Sequence, residues 1–185
     1  MRGAAPSSTI TALTLVAALA ASCGGDDEKT TPSTAAAPIR PTANPTPSDL
    51  KIIRVVQQTG GRLHLDAIRL FGDRVLLDDK GALSTVAAAR VKTATQLERD
   101  AAAAGAKLDS LGEKASAAGQ VTTAGKKAFE QLASCGRKAA AFFRRAADGS
   151  AGSLSGPDAA CKSARLAYGQ AATVADAVKG NTTAP

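Results

Sequence analysis

Between Leu83 and Ala118 small apolar residues recur in heptads, and no other feature of the chain restricts its fold as strongly. Ala87, Ala94, Ala101, Leu108 and Ala115 occupy one heptad position. Leu83, Leu97, Ala104, Leu111 and Ala118 occupy the other, with Arg90 as the single exception. A seam spaced by threes and fours belongs to an α-helix packed lengthwise on a partner. Because most seam residues are alanine, each buries little area, and stability must come from close approach of antiparallel backbones. The rest of the chain agrees: it is 44% hydrophobic, yet holds only four Phe, one Tyr and no Trp. The expected fold is all-α, an alanine-rich antiparallel bundle of about four helices over residues 49–180, with a short tail at 181–185.

The other helices are read from the same periodicity. The first is predicted to start near Ser48-Asp49, an N-cap with an acid in the first turn, and to bury Ile52, Val56, Thr59 or Gly60, Leu63, Ala67 and Leu70 or Phe71. Gly60 and Gly61 cost it about 2 kcal/mol relative to alanine. A kink or break is expected there, and a β-hairpin around Thr59, Gly60 and Gly61 is the competing reading of residues 51–70. Asp78-Asp79-Lys80-Gly81 forms a stop, and Gly119-Gln120 is predicted to end the seam helix. A third helix starts near Thr122 or Thr123 and buries Val121, Gly125, Ala128, Leu132, Cys135, Ala139 and Phe142. After a loop at 148–156, a fourth carries Pro157 in its first turn. That helix repeats Cys161, Ala164, Tyr168, Ala171, Ala175 and Val178.

The amino-terminal stretch decides where such a bundle would work. Arg2 precedes an apolar run, ITALTLVAALAAS, that leads directly into Cys23. A basic end, a short apolar run and small residues before a cysteine form a secretory signal with a lipid-modification site. The stretch resembles the signal and lipobox of bacterial lipoproteins, although Ala20 stands where leucine is commoner. The resemblance implies that residues 1–22 are removed and that Cys23 carries the lipid, which places the protein on the extracytoplasmic face of the cell membrane. Residues 24–48 hold five of the eight prolines and almost no large apolar side chain. Such a segment reads as a disordered tether with a reach of at most roughly 75 Å.

With Cys23 assigned to lipid, Cys135 and Cys161 remain, and in an exported protein a lone pair reads as a disulfide. Their levels do not match in a simple hairpin, so either the loop folds back along helix three or that helix breaks near Gly136. The formal charge is +7, and residues 121–185 hold nine bases against four acids. At about 100° per residue, Lys126, Lys127, Arg137, Lys138, Arg144 and Arg145 share one sector of about 120°, with Glu130 as the only acid inside it. These six are the candidate surface for anionic lipid headgroups or anionic wall polymers.

Other chemistry finds few residues. His64 is the only histidine, which disfavours a transition-metal site, and no nucleophile–base pairing is apparent. Asp66, Asp73, Asp78 and Asp79 lie among Arg62, Arg69 and Arg74 and read as paired surface charge. One Tyr and no Trp give nucleic acid no stacking platform. The expectation is a non-catalytic cell-envelope lipoprotein without cofactor, whose helical domain binds an unknown protein partner or an anionic surface. The alternative is a carrier of a small apolar ligand, haem or lipid, between the helices.

Overall fold

The computed structural model describes residues 44–73, 77–113 and 118–180. Cys23, the tether as far as residue 43, Ala115 and the tail 181–185 lie outside them. Thr46, rather than Ser48 or Asp49, caps the first helix, α1 (Pro47–Arg54). Pro47 takes the first helical position, where its missing N–H costs nothing. Asp49 completes a capping box: its carboxylate accepts from Thr46 N at 2.7 Å, while Thr46 Oγ1 accepts from Asp49 N at 3.2 Å. Asp49 is fully buried because its other oxygen accepts the Ala118 N–H at 2.9 Å, tying the start of α1 to the start of a later helix.

The chain stays helical through a π turn, Val55–Thr59, into α2 (Gly60–Phe71). The hairpin reading of 51–70 is therefore wrong, and the irregularity falls just before the two glycines rather than at them. A π turn carries one extra residue and shifts the phase of the helix. Ile52, Ile53, Val55 and Val56 before it, and Leu63, Ala67, Leu70 and Phe71 after it, all remain buried. The glycines serve packing: a Cβ on Gly60 would lie 2.6 Å from Tyr168 Cε2, so the tyrosine ring occupies the space of the missing side chain.

Asp79 starts the seam helix α3 (Lys80–Gly112), its carboxylate accepting from Gly81 N and Ala82 N. The seam holds, since Leu83, Ala87, Ala94, Leu97, Ala101, Ala104 and Leu108 are buried, whereas Leu111 is only partly covered. Arg90, the exception, donates to the carbonyls of Arg69 and Leu70 at the end of α2 and lies 5.8 Å from the Phe143 ring centroid. A cation at a helix C-terminus satisfies orphan carbonyls and complements the dipole.

Gly119 and Gln120 do not end α3; they begin α4 (Gly119–Ala147). The reason is the tie at Ala118, whose N–H goes to Asp49 while its carbonyl accepts from Thr122 N, so the new helix starts a turn earlier than Thr122. α4 runs unbroken past Gly136 and ends on Gly149, which has φ +70°. Gly149 N–H donates to Ala146 O and Ser150 N–H to Arg145 O, a Schellman ending. The last helix, α5 (Ser155–Gly180), packs on α4, and α1–α2 packs across α3, α4 and α5. Four helical stretches thus pack as an all-α bundle, with no strand among the described residues.

Candidate anionic-surface face

The buried arc of α4 is wider than its periodicity suggested. Besides the seven predicted positions, Phe129, Ala133, Gly136, Ala140, Phe143 and Ala146 are buried, most of them toward α3. Gly136 marks the closest approach, since a Cβ there would lie 2.6 Å from both Ala94 O and Glu98 N. About half the circumference of α4 is therefore enclosed, and the six bases occupy what remains.

The structure divides those bases into two rows. Lys126, Arg137 and Arg144 flank the α3 seam and find partners across it. Lys126 Nζ lies 2.5 Å from Asp109, Arg137 Nε donates to Glu98 at 2.9 Å, and Arg144 reaches Thr95 Oγ1 at 3.5 Å. The Asp109 carboxylate, by hydrogen bond and charge, holds the Lys126 ammonium above its usual range. Lys127, Lys138 and Arg145 form the second row, on the side of α5; all three are exposed and make no ion pair with a described residue.

Cys135 and Cys161 are joined in a disulfide, with Cα atoms 4.6 Å apart. Of the two ways to match their levels, the chain uses the first: α4 does not break, and residues 148–154 run back along it, packing Ala151 and Leu154 against the core. Cys23 lies outside the described residues.

His64, the only histidine, is half-buried on α2. Its ring packs on Tyr168 with centroids 4.8 Å apart, and its Nδ1 is buried without a hydrogen-bond partner. Burial, with a contribution from Arg165, pushes its pKa below the ordinary 6.5. Tyr168 Oη donates to Gln57 O at 3.4 Å, in the π turn, and burial with the nearby Asp176 charge raises its pKa. The GG pair was the sequence signal for this packing, since two adjacent glycines in an amphipathic helix mark a close approach.

The carboxylates near the end of α2 do not converge. Asp66 pairs with Arg69 at 3.4 Å, Asp79 caps α3, and among the described residues no three metal-ligating side chains come together. Two grooves are prominent. One of about 460 Å³ lies between α3 and α4, with Ala101, Gly105 and Phe129 along it and Lys126, Asp109 and Arg137 at its rim. The other, about 430 Å³, lies between α4 and α5 beside Lys127 and Gln170. Both open to solvent, unlike an enclosed apolar ligand cavity. No described helix is long and apolar enough to cross a membrane. No family model, curated protein or solved structure matches the chain.

Proposed function

We propose that the chain is a non-catalytic lipoprotein of the bacterial cell envelope, anchored through a lipidated Cys23, whose helical domain binds an anionic surface. The observation that carries the reading is the outer arc of α4, where six bases stand with one acid, Glu130. Burial forces charged residues outward but does not select their sign, so the excess of bases calls for an anionic partner. Lipid headgroups or wall polymers supply that charge beside the anchor. The lipobox-like sequence supplies the anchor, and two or more acyl chains make attachment stable. A carrier of haem or lipid needs an enclosed apolar cavity; the two open grooves, with Lys126, Asp109 and Lys127 at their edges, favour the surface reading.

The test has two parts. The mature protein should partition into detergent and carry acyl mass on Cys23, and Cys23→Ser should abolish both properties. The chain from Gly24 to Pro185, which keeps every described residue, should bind anionic vesicles or wall polymers increasingly as salt is lowered, and replacing all six bases by Gln should remove that dependence. Unmodified Cys23 in the mature chain refutes the anchor. Equal binding to neutral and anionic surfaces refutes the surface role.

A further inference from the structure

We infer that the chain docks on anionic lipid bilayers through the edge of α4 that faces α5, with Lys127, Lys138 and Arg145 against the headgroups and Leu166 inserted beside them. The inference rests on the surface-binding reading above. It narrows six bases to one row, and anionic surfaces in general to a bilayer.

The row toward α3 is already engaged. Lys126 and Arg137 have carboxylate partners in Asp109 and Glu98, and a headgroup would have to displace them. Lys127, Lys138 and Arg145 have no such competitor. At 1.5 Å per residue they form a line roughly 27 Å long, parallel to the bundle axis. The neighbouring surface of α5 adds no opposing charge. Asp158 is buried and paired with Lys162 at 3.0 Å, and Asp176 accepts from Gln57 on the α1 side of the bundle.

Leu166 decides what kind of surface fits. It is 71% exposed, more than Leu65 or Leu50, and it lines one shallow groove with Lys127, Gln131 and Gln170. A single exposed leucine is ordinary. Beside a row of bases that make no ion pair with a described residue it has the arrangement of an interfacial contact, in which charge brings the face to the headgroups and an apolar side chain enters the acyl boundary. A phosphate-bearing wall polymer would use the bases and leave the leucine in water. A second copy of the chain would bring like charges together around it. Leu65, by contrast, stands next to Asp66, which pairs with Arg69, and has no comparable row.

The experiment uses the chain from Gly24 to Pro185 with its disulfide intact, and phosphatidylcholine vesicles with and without phosphatidylglycerol. All substituted positions lie outside the core, and helix content measured by circular dichroism confirms that each variant is folded. With about fivefold in partitioning per base, the triple variant K127Q/K138Q/R145Q should lose about a hundredfold on anionic vesicles at low salt. The matched variant K126Q/R137Q/R144Q should lose no more than about tenfold, because Lys126 and Arg137 already face carboxylates and only Arg144 does not. Leu166→Ala should lose about three- to tenfold on vesicles and nothing on soluble poly(glycerol phosphate). An environment-sensitive fluorophore on Leu166→Cys should shift to the blue with anionic vesicles, and one on Leu65→Cys should not. Equal losses in the two triple variants, or an unshifted probe at position 166 while binding persists, overturn this docking face and leave the wider surface reading standing. Full vesicle affinity in Leu166→Ala overturns the choice of bilayer. Failure of the unmodified chain to bind phosphatidylglycerol vesicles overturns both the inference and the vesicle part of that reading.

Discussion

Replacing Gly136 by alanine should destabilise the protein, although the same change at two other helical glycines should stabilise it. Alanine is favoured over glycine inside a helix by about 1 kcal/mol. At Gly169 a Cβ would meet nothing within 4 Å, so that gain should appear nearly whole. At Gly105 the nearest atom, Phe129 Cβ, lies at 3.8 Å, an ordinary contact, and the gain should be about 0.5–1 kcal/mol. At Gly136 the Cβ would lie 2.6 Å from Ala94 O and from Glu98 N, and 3.0 Å from Glu98 Cα. These are backbone atoms of α3 and cannot rotate away, so the helices must separate by about 0.8 Å to reach 3.4 Å. Overpacking of this kind costs about 3 kcal/mol at the upper end, leaving a net loss of about 2 kcal/mol after the propensity gain. Urea unfolding followed by circular dichroism should rank Gly169→Ala and Gly105→Ala above the unmodified protein and Gly136→Ala below it. In thermal scans the Gly136→Ala midpoint should fall by about 6 °C. A Gly136→Ala protein as stable as the unmodified one would show that the α3–α4 seam is not held by backbone contact at this level.

Three further predictions concern the ties of the bundle. Asp49→Ala should lose about 3 kcal/mol in urea unfolding, since it removes charge-assisted bonds and strands the buried Ala118 N–H. Asp49→Asn, which can still accept from Ala118 but meets Thr46 N with a second donor, should lose about half as much; no difference between the two would discount the link to Ala118. Reducing the Cys135–Cys161 bridge should lower stability by about 3.5 kcal/mol, the chain-entropy value for its sequence separation of 26, and non-reducing digestion should give one peptide joining the two. Because burial lowers the pKa of His64, the unfolded chain binds its proton more readily than the folded one. The neutral ring's contribution is therefore present above the unfolded pKa of about 6.5 and declines as pH falls through it. Stability measured between pH 7.5 and pH 5.5 should drop with a slope that His64→Gln reduces, and an unchanged slope would place the titration elsewhere.

The fold was legible where periodicity alone decides and less so where a distant partner does. Ala87, Ala94, Ala101 and Leu108 could be placed because a helix that buries small residues must repeat them at threes and fours. The end of α3 and the start of α4 could not. Gly119-Gln120 has the composition of a helix stop, but the start of α4 is set by Asp49, whose carboxylate lies 69 residues away in sequence from the Ala118 N–H it accepts. Local composition carries no trace of such a bond. Arg90 broke the heptad for a similar reason, since its guanidinium serves the end of α2. The π turn falls before the glycines, whose missing side chains leave room for the Tyr168 ring. Leu166 has no counterpart in the sequence pattern, because a lone leucine outside a helical stripe carries no periodic signal; its exposure is visible only once α5 is packed.

The candidate face follows from how unequally burial is shared among the helices. α4 buries 13 of its residues, whereas the longer α3 buries seven and α5 seven. A helix enclosed by neighbours on half its circumference must crowd its charged residues into the other half, so the narrow sector of bases is in part a consequence of packing. Packing does not choose their sign. α3, with more exposed surface, sets three acids, Glu98, Asp100 and Asp109, among its five bases, and two of the acids pair with Lys126 and Arg137 of α4. On the other side of α4 no described acid does this for Lys127, Lys138 and Arg145. A sequence under pressure only for solubility could place either sign there at equal cost, because exposed charges of both signs keep a surface hydrated. Three bases in line with an exposed leucine alongside give that edge the charge that a surface of opposite sign would complement.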